Sequence, residues 1–209
     1  ALIVRLQTKE RECIGRIADM KYAIQQLVVV WSLLCASFAV AQVITVEEAL
    51  ATRGTAILIR HAIAPGFGDP DAFRIDDCST QRNLSAEGRA QSKAIGRAFK
   101  QAGVSAAFVL SSPWCRCMET ATLMDIGPVE KFAGLSSFFQ DHADQRDTMA
   151  ILARRLSEQS SDAPPLIMVT HQVVISALTG IGARSGGAVL YHPITNTTQQ
   201  IAMPKPPYD

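Results

Sequence analysis

Short apolar runs alternate along the chain with longer stretches whose apolar residues recur every three or four positions. Thr55–Arg60, Ala106–Ser111 and Leu166–Thr170 are unbroken enough to read as buried strands, with Val129–Phe132 and Ala188–His192 as further ones. Between them lie helical patterns. Ser85 suits an N-cap, Glu87 sits in the first turn, and Ala90, Ala94, Ile95, Ala98 and Phe99 form an apolar stripe that Gly103 ends. Arg116–Met124, Thr148–Ser157 and Val173–Thr179 read as helices as well. From His61 to about Asn83 the pattern breaks into a long loop rich in Gly, Pro and Asp, and Met203–Tyr208 reads as an irregular tail. Strands alternating with helices predict an α/β fold: one three-layer domain, its mostly parallel central sheet flanked by helices.

The first forty residues have a different pattern. Met20 and Lys21 open a segment whose apolar run Leu27–Ala36 leads to Ala39-Val40-Ala41, the layout of a secretory signal peptide cleaved after Ala41. The alternative is an uncleaved anchor, since Tyr22–Ala41 nearly reaches the length that spans a bilayer. Residues 1–19 read as an upstream extension, 20–41 as the signal and 42–209 as the folded domain. That places the protein in the periplasm or outside the cell, with no stable membrane insertion after cleavage. Of the 5 cysteines, Cys78, Cys115 and Cys117 fall in the domain. Export permits a disulfide, and Cys115 and Cys117 bracket Arg116 too closely to pair easily with each other. The expected bridge joins Cys78 to Cys115 or Cys117.

Composition narrows the partners. The chain has 209 residues, with 20 Lys+Arg against 19 Asp+Glu, so no basic excess points to nucleic acid. Aromatic residues make up 6%, too few to suggest a stacking platform for bases.

The chemistry concentrates where strands end. The first strand runs into Arg60-His61, the second into Ser111-Ser112-Pro113-Trp114-Cys115-Arg116, and the third into Thr170-His171. In open α/β sheets ligands bind beyond the carboxyl ends of the strands. Two arginines and two histidines meeting there make an anion site, because a guanidinium fork matches a phosphate and an imidazole nitrogen can attack phosphorus.

At these residues the chain resembles the histidine phosphatase superfamily, the phosphoglycerate-mutase-like group, branch 1. Leu58-Ile59-Arg60-His61-Ala62 is similar to its Arg-His-Gly signature, with Ala62 in place of the glycine. Asn83-Leu84-Ser85-Ala86-Glu87-Gly88-Arg89-Ala90-Gln91 is similar to its Leu-Thr-x-x-Gly-x-x-Gln helix start. Ser111–Ala121 resembles its Ser-Ser-x-x-x-Arg-Ala-x-x-Thr-Ala segment, and Val169-Thr170-His171 its second-histidine strand. The resemblance covers about Thr55 to Tyr191. It implies a phosphoric monoester hydrolase that needs no cofactor or metal and takes a small phosphorylated molecule. His61 would become phosphohistidine, and Arg60, Arg116 and His171 would bind the phosphate oxygens. Phosphomutase, phosphohistidine-protein phosphatase and a non-catalytic phosphate-binding module are the other readings.

The general acid departs from the family pattern. Ser137 falls where many members carry a Glu. A leaving alkoxide needs a proton, so Asp141 is the first candidate, Asp144 the second, and Asp69 or Asp71 in the long loop are further ones. Arg74 and Arg82 either extend the basic site or face solvent, and Phe138 and Phe139 belong either to the pocket wall or to the core.

Overall fold

A computed structural model describes residues 43–205; residues 1–42 and 206–209 lie outside the described residues, and with them the signal segment and its cleavage site. The elements run β1 (Val43–Ile44), α1 (Val46–Ala51), β2 (Ala56–Arg60), α2 (Ala86–Gln101), β3 (Val109–Ser111), α3 (Cys115–Met124), β4 (Val129–Lys131), α4 (Gln145–Ser157), β5 (Leu166–Thr170), α5 (Gln172–Thr179), β6 (Ala188–His192) and β7 (Thr197–Ile201). The seven strands form one sheet in the order β1-β7-β6-β2-β5-β3-β4. It is mostly parallel: β2, β5, β3 and β4 run together, β1 is parallel to β7, and β6 is antiparallel to both β2 and β7.

Side-chain alternation on the central strands makes the three layers. Ile57, Ile59, Val109, Ile167 and Val169 pack on one face with Ile95 and Phe99 of α2, Ala121 and Met124 of α3, and Ala49 of α1. Ala56, Leu58, Leu110 and Met168 turn to the other face, against Leu152 and Leu156 of α4 and Val174 and Ile175 of α5. A strand apolar at every position is therefore buried on both sides, as a central parallel strand must be.

The predicted helices all form. α2 begins at the Ser85 cap, whose side chain accepts from the Gly88 N–H. The strand expected over Ala106–Ser111 is shorter and starts at Val109, because Ala107 bonds to Ile126 ahead of the ladder. Three elements escape the sequence reading. β1 and α1 are short, and α1 is set by a capping box between Thr45 and Glu48. β7 is Thr-Thr-Gln-Gln-Ile and shows no apolar run; it forms by pairing with β6 across a turn in which Asn196 takes a φ of 52°.

Register places the site. Arg60 lies opposite Thr170, and Ser111 opposite Val169. The backbone N–H of His61 then donates to the Thr170 carbonyl at 2.9 Å, and that of Ser112 to the Val169 carbonyl at 2.9 Å. The three strand ends are thus level, and the residues that follow them meet at one edge.

Candidate active site

His61, Arg60, Arg116 and His171 line one cavity of about 440 Å3, joined by Arg82. His61 is buried, and its Nδ1 lies 2.8 Å from the Ala62 carbonyl. A carbonyl can only accept, so Nδ1 carries the proton and Nε2 keeps its lone pair. Burial, then the charge of Arg116, lowers the His61 pKa to about 3, with Arg82 and Arg60 adding to the effect and the Ala62 carbonyl opposing it. The ring is neutral at physiological pH, as a nucleophile must be. Ala62 substitutes for the family glycine without strain, since it avoids the left-handed region and its methyl packs with Ala64 and Leu84. Gly88 is the glycine this neighbourhood requires: a Cβ there would stand 2.0 Å from the Ile63 carbonyl oxygen.

His171 caps the end of β5 and opens α5. Its Nε2 is 2.7 Å from the Ser112 hydroxyl, and its Nδ1 is 3.4 Å from a terminal nitrogen of Arg116. Burial foremost, then Arg116 and His61, holds its pKa well below the ordinary histidine value. The His61 and His171 rings sit 5.6 Å apart, near enough to share one phosphoryl group between them. Thr170 fixes a further wall, since its hydroxyl donates to the Leu135 carbonyl at 2.8 Å just ahead of Ser137.

Arg116 is held from behind. Its Nη1 donates to Asp69 Oδ1 at 2.7 Å, and both side chains are 3% exposed. Asp69 also accepts from the Trp114 indole at 3.2 Å and from the Arg82 backbone N–H at 3.0 Å. Burial alone would raise the Asp69 pKa, but the Arg116 hydrogen bond and charge, with the two further donors, bring it below the ordinary value. Asp69 is therefore an ionised brace for Arg116 and cannot supply a proton near neutral pH. Arg82 bonds to the Gly68 carbonyl at 2.8 Å and to the Ala64 carbonyl, so it pins the loop while facing the cavity. Arg60 donates to the Ala183 carbonyl at 3.0 Å. The Nε atoms of Arg60 and Arg116 are buried without partners, which marks a place for an anion.

The expected bridge forms between Cys78 and Cys115, closing a loop of 37 residues beside Arg116. Cys117 stays a buried thiol, pushed up to about 12 by burial, with its sulfur 3.5 Å from His171 Nε2. Helix geometry explains the choice between them: Cys117 faces the sheet beneath α3, whereas Cys115 begins the helix next to the loop.

Among the described residues no carboxylate lines the cavity. Asp141, the first candidate acid, is exposed and outside the lining. Asp144 caps α4 by accepting from the Asp147 N–H at 2.8 Å. Asp71 is an exposed turn residue. Arg74 pairs with Asp77 at the surface, so of the two loop arginines only Arg82 joins the site. Ser137 does line the cavity, as does Phe139, while Phe138 packs into the core. The sequence reading missed Asp69 as a brace and Ser112 as the partner of His171. Ser112 sits in the Ser-Ser pair at the end of β3, and that position was the available signal.

Residues 56–136 match the histidine phosphatase superfamily (branch 1). The fold is similar to that of the protein designated phosphohistidine phosphatase SixA from Agrobacterium tumefaciens, with 17% identity and a TM-score of 0.50 over 73% of this chain and 99% of that one. A second SixA, from Nakamurella multipartitia, is 17% identical with a TM-score of 0.48 over 73% and 97%. Mycobacterial glucosyl-3-phosphoglycerate phosphatase is 14% identical with a TM-score of 0.47 over 71% and 95%. No curated protein matches the sequence. The matched segment contains the Arg60-His61 strand end, the α2 start and Arg116, and the fold brings His171 beside them: over residues 56–136 the chain matches branch 1 of the histidine phosphatase superfamily.

Proposed function

We propose that the protein is a phosphatase that hydrolyses phosphomonoesters through a phosphohistidine on His61, without a metal and outside the cytoplasm. The observation that carries this reading is the His61 tautomer: Nδ1 bonds to the Ala62 carbonyl, and Nε2 stays free in a cavity lined by three guanidiniums. Nε2 forms a bond to phosphorus while the P–O bond to the leaving group breaks and its electron pair departs with the oxygen. Arg60, Arg82 and Arg116 offset the charge of the phosphoryl oxygens, the main requirement of this transfer. His171, neutral and beside Arg116, binds the same group. Water then attacks phosphorus, Nε2 leaves as a neutral ring, and inorganic phosphate departs. The disulfide supports an oxidising compartment. Among the described residues no helix is long and apolar enough to cross a membrane.

The cavity's lack of a carboxylate favours a second reading, a phosphate-binding module that does not turn over. Aryl phosphate hydrolysis by the full chain in chelator, compared with His61→Ala, separates the two. Activity that disappears in the variant establishes the enzyme. Phosphate binding without turnover establishes the module, and activity that needs added metal contradicts the charge compensation described above.

A further inference from the structure

An aromatic pair stands at the mouth of the cavity. Phe67 is 90% exposed and Phe139 is 36% exposed, and both line the space that holds His61. Their rings meet edge to face, with centroids 5.0 Å apart. Isolated exposed apolar residues are ordinary, whereas adjacent ones that border a cavity mark a binding surface. This pair is also held in place. Gly66 and Gly68 flank Phe67 with φ values of 95° and 70°, left-handed conformations that glycine adopts without strain. Gln140, next to Phe139, accepts from the Asp69 N–H at 2.7 Å and donates to the Asp69 carbonyl at 3.3 Å. Gln140 and Asp141 hold φ values of 60° and 58°, a left-handed pair of non-glycine residues that these bonds keep in place. Asp69 in turn braces Arg116. One residue thus ties the aromatic mouth to the phosphate clamp.

The lining contributes a second constraint. Among the described residues its only hydroxyls are those of Ser137 and Ser185, and an alcohol is no stronger an acid than the alkoxide's own conjugate. Neither can drive the departure of an aliphatic alkoxide. A phenol, with a pKa of about 10, is a far better leaving group than an aliphatic alcohol, which is about as weak an acid as water.

We infer that the substrates are phosphomonoesters of aromatic alcohols, with the aromatic leaving group seated against Phe67 and Phe139. This rests on the phosphohistidine reading of the same site. As His61 Nε2 bonds to phosphorus, the aryl oxygen leaves with the P–O electron pair as an aryloxide and takes its proton from solvent. Aromatic contact supplies affinity and orientation, and delocalisation into the ring replaces the missing acid.

The test compares kcat/KM of the full chain for phenyl phosphates of graded phenol acidity with that for glycerol phosphate. Aryl esters should exceed the alkyl ester by about a hundredfold or more, the usual share of a general acid. The rate of phosphohistidine formation should rise with phenol acidity. Phe67→Ala, at a position 90% exposed, should lower the aryl-to-alkyl ratio roughly three- to tenfold, chiefly through KM. Phe67→Tyr should restore it, and inhibition by inorganic phosphate should move less than twofold. Equal aryl and alkyl rates, or a ratio unmoved by Phe67→Ala, would overturn the aromatic assignment and leave the phosphatase standing. Absence of phosphate release from every ester would overturn both.

Discussion

The floor and the mouth of the cavity are built by opposite means. On the floor, His61, Arg116 and His171 are almost fully buried, and their positions follow from strand register and paired hydrogen bonds. At the mouth, Phe67 and Phe139 are exposed and held by loop backbone, two glycines and one glutamine. On the proposed reading, the floor handles what every phosphate ester shares. The mouth meets what differs between esters. Substitutions on the floor should therefore remove turnover, and those at the mouth should redirect it.

The largest effect expected is from His61→Ala. With His61 as the proposed nucleophile, its loss should lower kcat by on the order of 10^4–10^6, measured by phosphate release, while the circular dichroism spectrum is retained. Arg116→Ala should cost roughly 2–4 kcal/mol of transition-state stabilisation, read from kcat/KM. Its brace is a comparably sharp test. Asp69→Ala leaves the Arg116 cation buried without its partner and should destabilise the fold by about 3–5 kcal/mol in urea titration. Because Asp69 also anchors Gln140, the same variant should loosen the mouth, and aryl selectivity should fall with it. An unchanged aryl-to-alkyl ratio in Asp69→Ala would show that floor and mouth are independent.

The floor was legible in the sequence because strands at the centre of a sheet are apolar throughout and stop where chemistry begins. Ile59-Arg60-His61 and Val169-Thr170-His171 each show that change within three residues. The acid was less legible for the complementary reason. Asp141 lies in irregular chain, where spacing says nothing about direction, and it faces solvent. Asp69 lies in a loop whose path is set by Arg82, Gln140 and the Cys78–Cys115 bridge, contacts distant in sequence. The partner of Cys78 was open between two residues because helical phase beneath Arg116 decides it. β7 was invisible because a sheet-edge strand needs no apolar run when its neighbour supplies the ladder.

The disulfide gives the next effect. Its 37-residue loop should contribute about 3–4 kcal/mol by restricting the unfolded chain, so Cys78→Ser should lower the urea midpoint accordingly. Since the bridge lies beside Arg116, activity should fall with it. Full activity in the reduced protein would show that the clamp is organised by Asp69 alone.

A somewhat smaller effect concerns pH. Unfolded, His61 binds a proton near pH 6.5, whereas in the fold it does so only near 3. Between these values the unfolded state holds more protons, so stability is complete above about pH 6.5 and declines as pH falls toward 3. At pH 4.5 the loss from His61 alone should be about 2–3 kcal/mol, and His171 shifts in the same direction. Urea titrations at pH 7 and pH 4.5 measure it, and His61→Asn should remove part of the difference. The smallest effect is the change in selectivity on Phe67→Ala.

The most direct measurement is rapid acid-free quenching of the full chain during turnover of an aryl phosphate, followed by mass spectrometry of its peptides. The phosphohistidine account expects one phosphoryl group on the peptide carrying His61, appearing before steady state and absent from His61→Ala. Turnover with no phosphoryl group on His61, or undiminished turnover in His61→Ala, would contradict it.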